Sequence, residues 1–432
     1  MLYAMKLKNF DQLVGSDLRK QGLLILEAGL AAIDTETVIR NTVKLEPGVL
    51  IAGDTRHELS DSARVFFVGV GKCAVEGGRA IEGILGERLA DGIVLDIKKE
   101  TSFAKLRYYE ATHPMPSEAN MRGTDAIVSL LRNAGKEDIV LFLISGGGST
   151  MLCMPEERNY EDEVAILAAL VAAGANIKEV NTVRKHLSKA RAGHLAEFAY
   201  PARSVALIFS DVPGDDIQFI ASGPTVRDET TVADADAVLT RYHVAETCNL
   251  PNIRLIETPK SDIYFEKTTN MIAVSNLTAL RAMEEKAKEL GFRPQTVDAH
   301  IEGEAKEVAK TIIEKLHKQR SKAVLLYGGE TTVTGAGEGK GGRNQELALA
   351  ALGGVIEGEL LISVASDGHD NGEYMGAICD TITLAHASQA GIAPQEFLKA
   401  HNSTPFFERT GDALVSGPTG SNVSDLMLAM KK

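Results

Sequence analysis

The chain has 432 residues, a formal net charge of −13, no tryptophan and only 5% aromatic residues. That length exceeds what one hydrophobic core usually serves and predicts two domains, while the abundance of Ala, Val, Leu and Ile suits alternating helices and buried strands rather than a β-sandwich or a disordered chain. The acidic balance argues against a nucleic-acid or anionic-membrane surface. Four widely spaced cysteines (Cys73, Cys153, Cys248 and Cys379) match neither zinc nor redox spacing and read as buried thiols in a reducing compartment. With no charged-then-apolar leader and no apolar run of about 18 residues, a cytoplasmic protein is expected.

Residues 16–40 place Leu23, Leu26, Leu30 and Ile33 at helical spacing among charged positions, which predicts a surface helix. A short apolar strand follows at Val65–Val68, then a helix at Ala74–Leu89 and a second strand at Ile93–Ile97. Ile139–Ile144 is apolar or branched throughout, as a strand covered on both faces should be. Helices near 161–174 and 186–198 lead to a fourth strand, Val205–Phe209, ending at Ser210-Asp211. This alternation predicts a mostly parallel, doubly wound sheet. Around 226–268 the pattern loses regularity at Pro251 and Pro259, so the division is placed at 1–250 and 251–432. Beyond it lie a strand at Met271–Val274, helices at Thr278–Leu290 and Ala305–His317, and strands at Val324–Tyr327 and Leu360–Val364. They predict a smaller α/β unit, with a final helix packing back on the first domain. The tetrapeptide SGPT at 222–225 and 416–419 reads as chance recurrence.

Three glycine-rich turns follow apolar strands, and glycine lets backbone N–H groups close around an anion. Gly69-Val70-Gly71-Lys72-Cys73-Ala74 fits a dinucleotide fingerprint, with Asp91 and Asp96 near the distance of a ribose-binding acid. Lys72 adds a point charge at the start of the next helix; phosphate binding, nicotinamide binding and a structural turn all stay open. Ser145-Gly146-Gly147-Gly148-Ser149 suits a phosphate or carboxylate nest, or a tight strand–helix crossover. It lacks the G-x-S-x-G of a serine nucleophile. Asp211, Asp215 and Asp216 crowd the end of the fourth strand, where Mg²⁺ coordination, proton abstraction and plain turn roles are all open. In the basic stretch Asn181, Arg184, Lys185, His186 and Lys189, Arg184 and His186 are placed to reach a substrate carboxylate or phosphate, with a solvated face as the alternative.

From Gly328 to Gly342 there are seven glycines, followed by Arg343-Asn344-Gln345-Glu346. This is no Walker A loop. It reads as a flexible segment in which Glu330 and Thr331 follow the strand directly and Arg343 offers bidentate phosphate contacts. In Ala365–Asp370 the acids Asp367 and Asp370 suit metal or ribose.

Together the stretches GVGKCA, LFLISGGGST, NTVRKHLS, FSDVPGDDIQFIASGPTVRD, GGETTVTGAGEGKGGRNQELALA, ASDGHDN and SGPTGSNVSDL, running from 69 to 426, resemble the glycerate 2-kinase family with its C-terminal MOFRL domain. The resemblance implies a Rossmann-like N-terminal domain, a smaller mixed α/β C-terminal domain and an active site in the cleft between them. It also implies ATP-dependent phosphorylation of the 2-hydroxyl of D-glycerate. Carried over by motif, Lys72 is the catalytic lysine, Asp211 its acid partner and Arg343 a phosphate-binding arginine. ATP-bound Mg²⁺ is assigned to Asp211, Asp215 or Asp216. The nucleotide set is Gly69, Gly71, Gly146, Gly147, Gly148, Ser149, Gly328, Gly329, Glu330, Thr331, Asn344 and Asp367. Ser145, Arg184 and His186 are assigned to D-glycerate. The chain departs from the family pattern at Lys189–Gly193, at His369–Gly372 and at Ser416 and Ser421, which bears on the hydroxy acid accepted. An NAD(P)-dependent hydroxypyruvate reductase is the rival enzyme, and a non-catalytic sensor the rival outside enzymology. Oligomeric state stays open, a homodimer among the options.

Overall fold

The computed structural model describes residues 5–99, 102–156, 159–212, 214–250, 252–335 and 339–432. Two compact units result, one from residues 1–37, 211–214 and 274–432 and the other from 38–210 and 215–273. The break therefore falls near 273 rather than 250, and the N-terminal segment groups with the C-terminal half.

The reason lies in helix α1 (Asp17–Ala32), which Ser16 caps by accepting the Arg19 N–H. Instead of a surface helix, it has Leu23, Ile25, Leu26 and Leu30 fully buried. Gly22 sits where a Cβ would strike Leu360 and Met430, and Gly29 where one would strike Met283. Arg19, 2% exposed, bonds Asp380 through Nε at 2.8 Å and Nη2 at 2.7 Å, and Asp412 through Nη1 at 2.7 Å. A buried guanidinium with this many carboxylate bonds is a strong geometric tie, and it fixes α1 to elements nearly 400 positions later.

The unit of residues 38–210 and 215–273 carries a small antiparallel sheet (Val43–Glu46, Val49–Ala52, Thr55–Glu58) and a six-stranded sheet. In chain order the large sheet's elements are β1 (Val65–Val70), α2 (Ala74–Leu85), β2 (Leu89–Asp96), β3 (Leu106–Glu110), α3 (Glu118–Leu131), β4 (Ile139–Ile144), α4 (Gly148–Met151), α5 (Tyr160–Ala172), α6 (Ile177–Lys185), β5 (Arg203–Phe209) and β6 (Thr268–Val274). The strands lie in the order β3-β2-β1-β4-β5-β6, and the first five pair in parallel. This is the Rossmann order, with its topological switch between β1 and β4. Both strands are buried along their whole length. The helix expected over 74–89 stops at Leu85, where Gly86 takes a φ of 49°, and the one expected over 186–198 is replaced by α6 and a short helix at His194–Ala199.

The second unit continues with α7 (Asn276–Glu289), β7 (Arg293–Glu304), α8 (Ala305–His317), β8 (Ala323–Thr332), α9 (Arg343–Ala351), β9 (Glu359–Ala365), β10 (Gly376–Asp380), α10 (Thr381–Gln389), β11 (Ala413–Leu414) and β12 (Asp425–Lys431). Its mixed sheet runs β7-β8-β12-β9-β10-β11. The chain's last element is thus a central strand, antiparallel to both β8 and β9, not a helix returning to the first domain. Its first residue, Asp425, pairs with Gly329 on one side and Ala365 on the other, at the carboxyl ends of both strands. Among the described residues no helix is long and apolar enough to cross a membrane.

Candidate active site

The turns after β1 and β4 lie side by side at the switch point, where open α/β sheets bind ligands. The first is filled by the protein itself. Gly71, at φ 112°, brings the chain so near that a Cβ would stand 2.3 Å from Ser145 Oγ. Its N–H donates to Leu95 O at 3.1 Å, and those of Lys72 and Ala74 donate to Gly146 O and Gly71 O at 3.0 Å. The Cys73 N–H donates to Ser145 Oγ at 3.2 Å and the Val75 N–H to Asp96 Oδ2 at 3.0 Å. The start of α2 therefore has no row of amides open to a pyrophosphate. Asp96 is buried, and burial pushes its carboxyl above the usual range against those hydrogen bonds; Asp91 pairs with Arg107 at 2.9 Å. Neither acid is placed as a ribose ligand. Gly69 lies inside β1, against the Phe67 ring. Gly69, Gly71 and Ser145 thus pack and hydrogen-bond within the protein. Ser145 is fully buried, its hydroxyl lying 3.3 Å from Val70 O.

The second turn is different. Gly147 holds φ at 84°, and a Cβ there would meet His113 Cδ2 at 3.3 Å and Lys72 Cγ at 3.5 Å. The Lys72 stem and the His113 ring therefore flank one bare glycine. The Gly147 and Ser149 amides donate to no described residue, leaving a backbone concavity suited to an anion. Ser149 Oγ lies 3.0 Å from Ser222 Oγ, which also reaches Asn181 Oδ1 at 2.9 Å. Burial first, then the Lys72 and Arg184 charges, hold the His113 imidazole below its ordinary pKa. Arg184 is pushed down to about 10 by burial and by Arg191, with Glu163 opposing. Glu163 is already bonded to Arg191 at 2.6 Å, so Arg184 is a half-buried cation short of negative charge. The Lys72 and Arg184 charges both act on the neutral His113 ring beside Gly147. The sequence offered Lys72 and Arg184; His113 was missed, though its place in Thr112-His113-Pro114-Met115-Pro116, just past β3, is a local signal.

His186 does not join them. It is fully buried, its Nδ1 is 2.8 Å from Ile256 O and its Nε2 3.2 Å from Thr230 Oγ1. Burial lowers its pKa, and its role is to hold the 228–258 region. Lys185 likewise forms a buried pair with Asp228 at 3.0 Å.

In the other unit, the glycine-rich segment is packed rather than flexible over its described part; Ala336, Gly337 and Glu338 lie outside the described residues. Added Cβ atoms would strike Ile301 O at Gly329, Ala400 O at Gly339 and Asp370 at Gly342, all within 2.3 Å. Gly328 packs on Asn276. Arg343 bonds Asp425 with Nε at 2.6 Å and Nη2 at 2.9 Å, and Glu330 with Nη1 at 3.0 Å. Burial would lower its pKa, but Asp425 raises it, so the cation is locked on. Arg343 thus anchors α9 to β12 and β8 rather than standing as an open phosphate ligand. Asp370, expected at metal or ribose, caps α9 by accepting the Asn344 and Gln345 N–H groups at 3.0 and 2.8 Å. Asn344 is buried, accepting from Ser363 Oγ at 2.6 Å. Thr331 keeps a buried Oγ1 with no partner among the described residues. Asp367 is partly exposed and accepts the His369 N–H at 3.0 Å. Asp211 receives Ser424 Oγ on its carbonyl at 2.6 Å and has Asn422 Nδ2 3.4 Å from its carboxylate. Asp215 adopts φ 56°, Asp216 accepts the Gln218 N–H at 3.0 Å, and Pro213 between these acids and Asp211 lies outside the described residues. Among the described residues, no three His, Cys, Asp or Glu side chains are grouped as a metal cage requires.

Comparison with known proteins places this geometry in context. Residues 22–255 match the family model described as a domain of unknown function (DUF4147), and residues 323–425 match the MOFRL family. The chain is similar to glycerate 2-kinase of Pyrococcus horikoshii, 35% identical across 97% of this chain and 98% of that one. It is also similar to a putative hydroxypyruvate reductase of Agrobacterium vitis, 36% identical across 93% and 92%. The crystal structure of glycerate kinase from Thermotoga maritima superposes with a TM-score of 0.84 at 32% identity, covering 96% of this chain and 99% of that one.

Proposed function

Since the chain belongs to the glycerate kinase family, built from a DUF4147 region and a MOFRL region, we propose that it transfers the γ-phosphoryl group of ATP to the 2-hydroxyl of D-glycerate, giving 2-phosphoglycerate and ADP. The observation that carries this reading is the Lys72 side chain lying over Gly147, beside unbonded amides and the Arg184 cation, whose neighbouring carboxylate is bonded to Arg191.

Phosphoryl transfer needs alignment and cancellation of charge more than covalent help from the protein. Lys72 neutralises charge growing on the transferred group, while the Gly147 and Ser149 amides donate to phosphate oxygens. Arg184 takes the D-glycerate carboxylate, because a guanidinium matches a carboxylate fork. Asp211 orients the 2-hydroxyl or accepts its proton as the new O–P bond forms and the bond to ADP breaks. Bound Mg²⁺ supplies charge neutralisation on the nucleotide. Such an ion retains waters and needs only one or two protein carboxylates, which Asp215 and Asp216 fit without a preformed cage.

The hydroxypyruvate reductase reading asks α2 to receive a dinucleotide pyrophosphate. The internal hydrogen bonds of Lys72, Cys73, Ala74 and Val75 oppose it. Incubation with D-glycerate, ATP and Mg²⁺, resolving 2- from 3-phosphoglycerate, tests the proposal. Accumulation of 2-phosphoglycerate with matching ADP is expected. NADH consumption with hydroxypyruvate and no phosphoglycerate would replace the kinase by the reductase.

A further inference from the structure

Beside the Gly147 turn lies an open-sided cavity of about 420 Å³, whose walls come from the Pro114–Pro116 segment and from Val164, Leu167 and Val171 of α5. Thr150 and Arg184 stand among these mostly apolar walls. Among the described lining residues the one carboxylate, Glu163, is bonded to Arg191 at 2.6 Å and approached by Cys153 Sγ at 3.7 Å. Among the described lining residues Arg184 is thus the cation available to a ligand. Pro114 is held in place, since Thr150 Oγ1 donates to its carbonyl at 3.3 Å and Asn120 Nδ2 donates to Thr112 O and Thr150 O at 3.0 and 3.2 Å.

A cavity of this volume, with mostly apolar walls and a cation in its lining, is the usual form of a site for an apolar molecule with one anionic end. A three-carbon, fully hydroxylated acid leaves the α5 wall uncovered. We propose that the cavity extends the site to 2-hydroxy acids with apolar tails, the carboxylate on Arg184 and the tail between Leu167 and the Pro114–Pro116 segment. This deepens the reading of Arg184 as the carboxylate ligand and rests on it. Such acids compete with D-glycerate for the same cation.

Calorimetric titration of the full chain without nucleotide tests this, using D-lactate and (R)-2-hydroxyhexanoate as probes. Each buried methylene is worth roughly fourfold in affinity, so three more should tighten binding at least about tenfold. Leu167→Trp and Ala168→Trp fill the cavity, and either should remove that preference while sparing D-lactate binding. Arg184→Gln should abolish binding of both acids. Equal dissociation constants for the two acids overturn the proposal, as does an undiminished preference in both tryptophan variants. Failure of the kinase reading appears elsewhere, as absence of phosphoglycerate when the wild-type chain receives ATP and D-glycerate.

Discussion

Two glycine-to-alanine substitutions separate the structural turn from the ligand turn. At Gly71 an added methyl would lie 2.3 Å from Ser145 Oγ and 2.5 Å from its carbonyl oxygen, at φ 112°. The carbonyl is backbone, so relief requires β1 and β4 to part. Overpacking and a left-handed φ together cost roughly 2–4 kcal/mol, or about 5–15 °C in melting temperature for a unit of this size. At Gly147 the methyl meets Met151 Cε at 3.1 Å, His113 Cδ2 at 3.3 Å and Lys72 Cγ at 3.5 Å, all side-chain atoms. There the stability loss is about 1–2 kcal/mol, mostly from φ, but the methyl enters the space between Lys72 and the ligand. Thermal melts and steady-state kinetics on both variants give the check: Gly71→Ala loses stability with near-normal kcat/KM per folded molecule, whereas Gly147→Ala loses at least about tenfold in kcat/KM. A fully stable Gly71→Ala protein with a raised KM for ATP would refute the reasoning.

Lys72→Met removes the charge over the turn and should lower kcat at least ~100-fold, about 3 kcal/mol; normal turnover would dismiss Lys72 from the site. Arg19→Met strands Asp380 and Asp412 in a dry interior and should cost roughly 3–5 kcal/mol, read from urea unfolding; a loss below 1 kcal/mol would show the tie is idle. For His186, burial holds the folded pKa below that of the unfolded chain. The unfolded state therefore binds the extra proton first, and stability falls as pH drops from about 6.5 through the lowered folded value. Asp228, Glu257 and Lys260 act on the same ring, and Asp228 keeps its carboxylate charged to lower pH, so its own loss comes later. Nitrogen-15 shifts showing His186 protonated in the folded protein at pH 6.5 would reverse this assignment.

Most of the Rossmann-like sheet is legible because its strands are local statements: β1 and β4 are apolar runs ended by glycine turns. The misplaced elements depend on partners remote in sequence. The residues of β12, Asp425-Leu426-Met427-Leu428-Ala429-Met430-Lys431, are good helix formers by intrinsic preference, yet β8 and β9 on either side impose an extended ladder. Tertiary pairing outweighs a preference of a few tenths of a kcal/mol per residue. Helix α1 was misjudged for a related reason. Arg19 and its charged neighbours look solvent-facing until Asp380 and Asp412 arrive from the far end of the chain.

The candidate site divides along the same line. A glycine turn announces that backbone must pass closely, but not whether its neighbour is a ligand or another part of the protein. Gly71 and Gly342 are bare for Ser145 and Asp370, whereas Gly147 is bare beneath Lys72 and His113. Arginine is ambiguous in the same way. Arg343 meets a carboxylate 82 positions away, whereas the carboxylate acting on Arg184 already belongs to Arg191. Of two arginines equally plausible in sequence, the one without its own anion is the better ligand for a foreign one. Arg343→Lys should therefore damage folding first, because a lysine cannot reproduce the two-point bond to Asp425, while Arg184→Lys should raise the KM for D-glycerate at unchanged melting temperature. The reverse pattern would return Arg343 to the ligands and assign Arg184 to the scaffold.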